Sequence, residues 1–154
     1  PFADELLSRA GISVRDLDAI ACVVGPGSFT GIRIGVSTAH ALARATGAKL
    51  IALNSLQVRA FGEKGSFAVA LQCRPTESYL ARFDGDWLHM SECRAAQESE
   101  IAALVIKVVR HEGSLKAETM AAAAEYLAQS GAFVPSLSPL YLKKSQAERL
   151  ADGN

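Results

Sequence analysis

The sequence is short of the features that announce most functions. Basic and acidic side chains balance at sixteen each, so no net charge draws the chain to nucleic acid or to a charged membrane surface, and any RNA role is expected to run through partners. The three cysteines, Cys22, Cys73 and Cys93, are odd in number and lack Cys-x-x-Cys spacing, so a disulfide framework is not expected. Cys22 sits in an apolar run and reads as a small core residue, while Cys73 and Cys93 flank a strand region and read as reduced thiols. His40, His89 and His111 are far apart with no ligand spacing, and read as surface or partly buried polar residues. No apolar run approaches the roughly 18 residues of a membrane span and no signal peptide is visible, which makes the cytoplasm the expected compartment.

What the chain does have is apolar content and a dense glycine segment. With 154 residues, 49% of them hydrophobic, one or two small domains can form a core, and burial of roughly 70% of the unfolded surface is expected at this size. The apolar run Ala19-Ile20-Ala21-Cys22-Val23-Val24 leads into Gly25-Pro26-Gly27-Ser28-Phe29-Thr30-Gly31-Ile32-Arg33-Ile34-Gly35, and a proline-free apolar stretch continues to Ala45. A glycine turn between a buried strand and a helix start is a usual phosphate cradle. Neither common spacing fits: a Walker loop needs glycine then Lys-Ser/Thr where Thr30 or Ile32 stands, and a dinucleotide fingerprint needs glycine or alanine at Thr30. Free amides near Ser28, Phe29 and Thr30 leave only unspecific anion binding.

Small residues supply a second reading. Gly27, Gly31, Gly35, Ala39, Ala43 and Gly47 recur at every fourth position, so neighbouring members share a helix face. Glycine costs a helix interior about 1 kcal/mol relative to alanine, so two inside one helix imply that something approaches their backbone. Either a partner helix or the chain's own sheet meets that requirement. Ile32, Ile34, Val36, Leu42 and the alanines cover most of the circumference, which implies burial on more than one side.

The patterning predicts a helix over Phe2 to Ala10, a strand over Leu17 to Val24, a helix over Ser28 to Thr46, a strand over Lys49 to Leu53 and a short helix over Ser55 to Phe61. Gly62, Gly65 and Ser66 mark a linker between segments 1–62 and 66–154. Strands are then predicted at 67–72, Ser78 to Phe83 and, after the Asp84-Gly85 turn, Trp87 to Ser91. A helix near Ala95 to Leu104, a strand Val105 to Val109, a helix Ala117 to Gln129 and an extended tail Pro135 to Leu142 complete the order. Asp84 and Asp86 read as solvated turn residues. The first segment looks like the second without three strands. Because Pro1 is not an initiator methionine, the sequence is expected to start inside a longer chain. The strand edge at Leu17 to Val24 then needs cover from those residues or from another chain.

The glycine segment, continued by Ser37-Thr38-Ala39 and Leu42-Ala43, resembles the signature of the bacterial TsaB (YeaZ) family, and Pro139-Leu140-Tyr141-Leu142-Lys143-Lys144 resembles that family's C-terminal segment. The resemblance is strong from about Leu6 to Ala60. It implies an α/β duplicated actin-like (ASKHA, ribonuclease-H-like) fold, here with its first half incomplete at the N-terminus. It also implies a non-catalytic subunit of the machinery that makes threonylcarbamoyladenosine beside the anticodon of ANN-decoding tRNAs. Such a subunit pairs with a TsaD-like catalytic sister, a TsaE-like ATPase docks on the pair, TsaC supplies threonylcarbamoyl-adenylate, and tRNA is met only through the complex. The helices at Phe2 to Ala10 and Ser28 to Thr46 map onto the four-helix contact of such pairs. Phe2, Leu6, Gly27, Phe29, Gly31, Ile32, Gly35, Val36, Ala39 and Ala43 are thus the expected partner interface.

The catalytic sister carries Asn-His-x-Glu-x-His after the equivalent helix, two histidines able to share a metal. Here the segment is Asn54-Ser55-Leu56-Gln57-Val58-Arg59, with neither imidazole nor carboxylate. No metal, cofactor or catalytic residue is therefore expected. The family's Asp-Ala-Arg-x-x-Glu-Val-Tyr stands here as Gln72-Cys73-Arg74-Pro75-Thr76-Glu77-Ser78-Tyr79, without its leading acid, leaving an Arg74–Glu77 ion pair as the expected remnant. Two alternatives remain open: an actin-like enzyme, glycoprotease-like or a small kinase, and a homodimer packed on its own glycine helix.

Overall fold

The computed structural model describes residues 2–110 and 113–142. Helix α1 (Phe2–Ala10) leads through a 3-10 turn (Val14–Asp16) to strand β1 (Ala19–Gly25), helix α2 (Phe29–Thr46), strand β2 (Lys49–Asn54) and helix α3 (Ser55–Arg59). Then come β3 (Phe67–Arg74), β4 (Glu77–Phe83), β5 (Met90–Gln97), α4 (Glu98–Ala102), β6 (Lys107–Arg110) and α5 (Ala117–Gln129).

Local chemistry sets these boundaries. Ser28 caps α2 by accepting from the Gly31 N–H at 3.3 Å, and Gly47 ends it in the left-handed conformation, φ 78°, with its N–H donating to the Ala43 carbonyl. Ser13 and Asp16 form a reciprocal capping box on the 3-10 turn that delivers the chain to β1.

Strands β1 and β2 pair in parallel, while the second sheet has the order β5-β4-β3-β6, antiparallel except for the parallel β3–β6 pair. Alternation along β3 sends Phe67 and Val69 to one face and Ala68 and Ala70 to the other. The first face joins Ile51, Leu53, Leu56 and Val58 of the preceding segment in one apolar cluster, closed by Ala123 of α5. The opposite face packs on Ile101 of α4. The boundary expected at 62–66 is therefore spanned by a shared core, and Gly65 pairs its backbone with Gly85.

Two elements depart from expectation. The strand predicted at Trp87 to Ser91 starts at Met90 instead, because Asp86 Oδ1 accepts from the Leu88 N–H at 2.8 Å and holds a wide turn. Trp87 leaves the ladder and plugs the core, edge-on to Phe61 at 4.9 Å and to Tyr126 at 5.4 Å. The helix predicted near Ala95 shortens to α4, because Ala95, Ala96 and Gln97 still pair with Tyr79, Ser78 and Glu77. Tertiary pairing has overridden alanine's helix preference. The tail is extended as expected, but it is also anchored. The Val134 N–H donates to the Leu50 carbonyl, and the Leu140 N–H donates to the Val24 carbonyl at 2.7 Å. Between those points Leu137 enters the cluster under α2, while its backbone N and O lie 3.1 and 3.2 Å from His40 Nε2.

Candidate functional site: the glycine turn and helix α2

At 100° per residue, the side chains of α2 divide into faces that the structure treats differently. Ile32, Val36, Ala39 and Ala43, only 7%, 7%, 5% and 9% exposed, cluster with Val24, Leu50 and Leu137. Four of the ten expected interface residues therefore pack inward. They form the amphipathic seam that attaches α2 to its own sheet, so their surface is already used. The remaining members divide further. Gly27 and Gly31 are exposed, and a Cβ placed at Gly31 would meet nothing closer than Ser28 Oγ at 3.5 Å. Gly35 is half-buried, with Cys22 Sγ 3.5 Å from such a Cβ, so it faces β1. Phe29 is 37% exposed but stacks on Tyr141 of the tail at 4.7 Å and carries the Arg33 guanidinium 5.4 Å over its ring. Leu6 on α1 is 66% exposed. The side chain of Phe2 lies outside the described residues.

Sequence reasoning passed over Ile34, which is 63% exposed on the side of α2 away from the core. The signal was present: once Ile32, Val36, Ala39 and Ala43 are taken as the inward stripe, Ile34 falls on the opposite side.

Beside α2 the turn itself is tightly fitted. Gly25 has φ +118°, and a Cβ there would lie 2.7 Å from the Leu140 carbonyl oxygen. Only glycine accommodates both the backbone and the tail. Cys22, Pro26, Ser28, Gly31, Arg59 and Leu115 are among the residues around an open cavity of about 410 Å³ next to the turn. Burial pushes the Cys22 thiol up, which keeps it protonated at neutral pH.

The segment Asn54 to Arg59 is committed to structure. Asn54 Oδ1 accepts from the Leu56 and Gln57 N–H groups and caps α3, and the buried Ser55 hydroxyl donates to the Pro26 carbonyl at 2.5 Å, tying α3 to the glycine turn. Arg59 donates to the Gly113 carbonyl at 2.8 Å, and burial pulls its guanidinium below the usual value. Among the described residues no cluster of three or more His, Cys, Asp or Glu side chains is placed to hold a metal, and no helix is long and apolar enough to cross a membrane. The Arg74–Glu77 pair forms at 3.4 Å on the surface, where it contributes little.

Residues 1–129 match the family model described as TsaD, tRNA N6-adenosine threonylcarbamoyltransferase. The chain belongs to this family. Relatives place it with the TsaB (YeaZ) proteins of the family. It is 34% identical over 110 residues to the Escherichia coli tRNA threonylcarbamoyladenosine biosynthesis protein TsaB, a match covering 66% of this chain and 47% of that protein. It is 48% identical over 54 residues to a Rhizobium meliloti tRNA N6-adenosine threonylcarbamoyltransferase, covering 35% of this chain and 15% of the relative. The chain thus spans less than half the length of these curated relatives. The fold matches a Pseudomonas aeruginosa crystal structure described as similar to peptidase YEAZ, with TM-score 0.71 and 24% identity over 92% of this chain and 81% of that one. The actin-like α/β architecture of the TsaB (YeaZ) family is therefore that of this chain.

Proposed function

We propose that the chain acts in tRNA threonylcarbamoyladenosine biosynthesis as a non-catalytic subunit that pairs with a TsaD-like catalytic sister. The observation that carries this reading is the use made of Asn54, Ser55 and Arg59. All three hydrogen-bond to backbone groups within the chain, and Ser55 and Arg59 do so where the sister pattern has its two metal-directed histidines. A residue that caps a helix or ties down a turn is not free to ligate. Alongside this, α2 offers Gly31 and Ile34 to solvent, the turn before it offers Gly27, and α1 offers Leu6. These are the groups proposed to meet the sister's helices, with Phe29 and Gly35 at the margins. A small-residue flank lets two helix axes approach closely, and Ile34 and Leu6 supply the apolar area. A TsaE-like ATPase docks on the assembled pair, and tRNA reaches the sister's active site within the complex.

Reconstitution tests this reading. Modified adenosine formed by the TsaD-like, TsaE-like and TsaC-like proteins is measured with and without this chain. Dependence on the chain, retained after Arg59→Ala, is the expected result. Product formed equally well without the chain refutes the subunit role.

A further inference from the structure

Between Ala19 and Gly62 the sequence has no acidic residue, yet it has Arg33, Arg44, Lys49 and Arg59. The neutral net charge therefore hides a local imbalance, and the fold concentrates part of it. Phe29, Arg33, His40 and Arg44 lie within about 60° of one another around α2, along one flank between its buried seam and its crown. The tail runs beside this flank, bringing Tyr141 to Phe29 at one end and Phe133 to Lys49 at the other, with Lys49 Nζ 4.4 Å from the ring centroid. At that second end His40, Arg44, Lys49 and Phe133 line a cavity of about 360 Å³ without any acidic group. Arg44 and Lys49 make no ion pair among the described residues, whereas Arg74, Arg94, Lys107 and Arg110 are all paired. Asp18, whose carbonyl accepts from the Lys49 N–H, makes no ion pair with Lys49 either.

We infer that this cavity and flank hold the phosphate backbone of an RNA strand directly. Arg44 and Lys49 would receive phosphates, Arg33 would extend the track, and the exposed ring of Tyr141 would offer a stacking surface at one end, with Phe133 backing Lys49 at the other. Cations interleaved with aromatics along a groove are the chemistry of sequence-tolerant single-strand binding. An acidic protein surface would use the cations but has no need of the rings. The inference rests on the proposed function only in taking RNA as the polyanion. It goes beyond that reading in giving this chain its own RNA contact rather than access through a partner.

The test is fluorescence anisotropy of a labelled, unmodified RNA stem-loop titrated with the full chain over a salt series. Three phosphate contacts to a single-stranded loop give log K falling against log salt with a slope of about −2. Arg44→Gln with Lys49→Gln should weaken binding about 10-fold or more at low salt and reduce the slope to about −0.7. Arg82→Gln, an exposed arginine on β4, should change neither. Circular dichroism establishes that each variant is folded. Equal weakening by Arg82→Gln, no saturable binding by the parent chain, or competition by poly-glutamate as strong as by poly-uridylate would each overturn the inference. Since this assay needs no partner, its failure would leave the reconstitution result intact, and the reverse also holds.

Discussion

Gly25 is where the turn, the helix and the tail constrain one another, and replacing it with alanine should cost more than any other glycine substitution in the α2 region. At φ +118° an L side chain is strained by roughly 1–3 kcal/mol. The added methyl would also sit 2.7 Å from the Leu140 carbonyl oxygen and 3.0 Å from Ile32 Cδ1. Ile32 can rotate, but the tail backbone cannot yield without moving Leu140, whose N–H donates to the Val24 carbonyl. Loss of that bond adds about 1 kcal/mol, so Gly25→Ala should destabilise by about 2–4 kcal/mol. Gly35→Ala is the contrast. Its methyl meets only Cys22 Sγ at 3.5 Å, an ordinary contact, and alanine improves helix propensity by up to about 1 kcal/mol. Urea denaturation of the two variants, followed by circular dichroism, gives both numbers. If Gly25→Ala lies within about 0.5 kcal/mol of the parent, the turn is not held by the tail and the fit described at Leu140 is wrong.

Other consequences are open to the same kind of measurement. Trp87→Ala, which empties a buried site between Phe61 and Tyr126, should cost about 3–5 kcal/mol in thermal or urea unfolding. His40→Ala removes the partner of Leu137 and should cost about 1–2 kcal/mol while raising the rate of proteolysis within the tail. Glu98 is held below the usual carboxylate range by the Ser78 hydroxyl and then by Arg110. A lowered folded-state pKa means stability that is present above the unfolded value and lost as pH falls through the folded one. Unfolding measured from pH 6 down to pH 2 should therefore show an acid-side loss that Glu98→Gln makes shallower.

Much of the fold was legible because its signals are local. The β1–α2–β2 unit and α5 follow from periodicity and glycine placement, and the structure agrees with them to within a residue or two. The misreadings came where long-range pairing decides. Asp86 reads as a turn residue, but nothing near Trp87 says that the turn will extend to His89, and nothing near Ala95 says that β4 will claim it as a strand. The small-residue stripe at the site reads as a close-approach surface, yet among the described residues nothing comes nearer than 3.5 Å to a Cβ placed at Gly31 or Gly35. Sequence spacing places Ile32, Val36, Ala39 and Ala43 on one face without saying whether that face meets the chain's own sheet or another molecule. The tail's contribution was hidden for the same reason: His40 and Leu137 are 97 residues apart, and no local pattern pairs them.

The proposed docking face of α2 is tested most directly by native mass spectrometry of the chain mixed with its TsaD-like partner, parent against Ile34→Asp. Ile34 is exposed and makes no core contact, so the variant should fold as the parent does. A one-to-one complex for the parent that is lost in Ile34→Asp is the expected result. An equally abundant complex with the variant would contradict the assignment of this face.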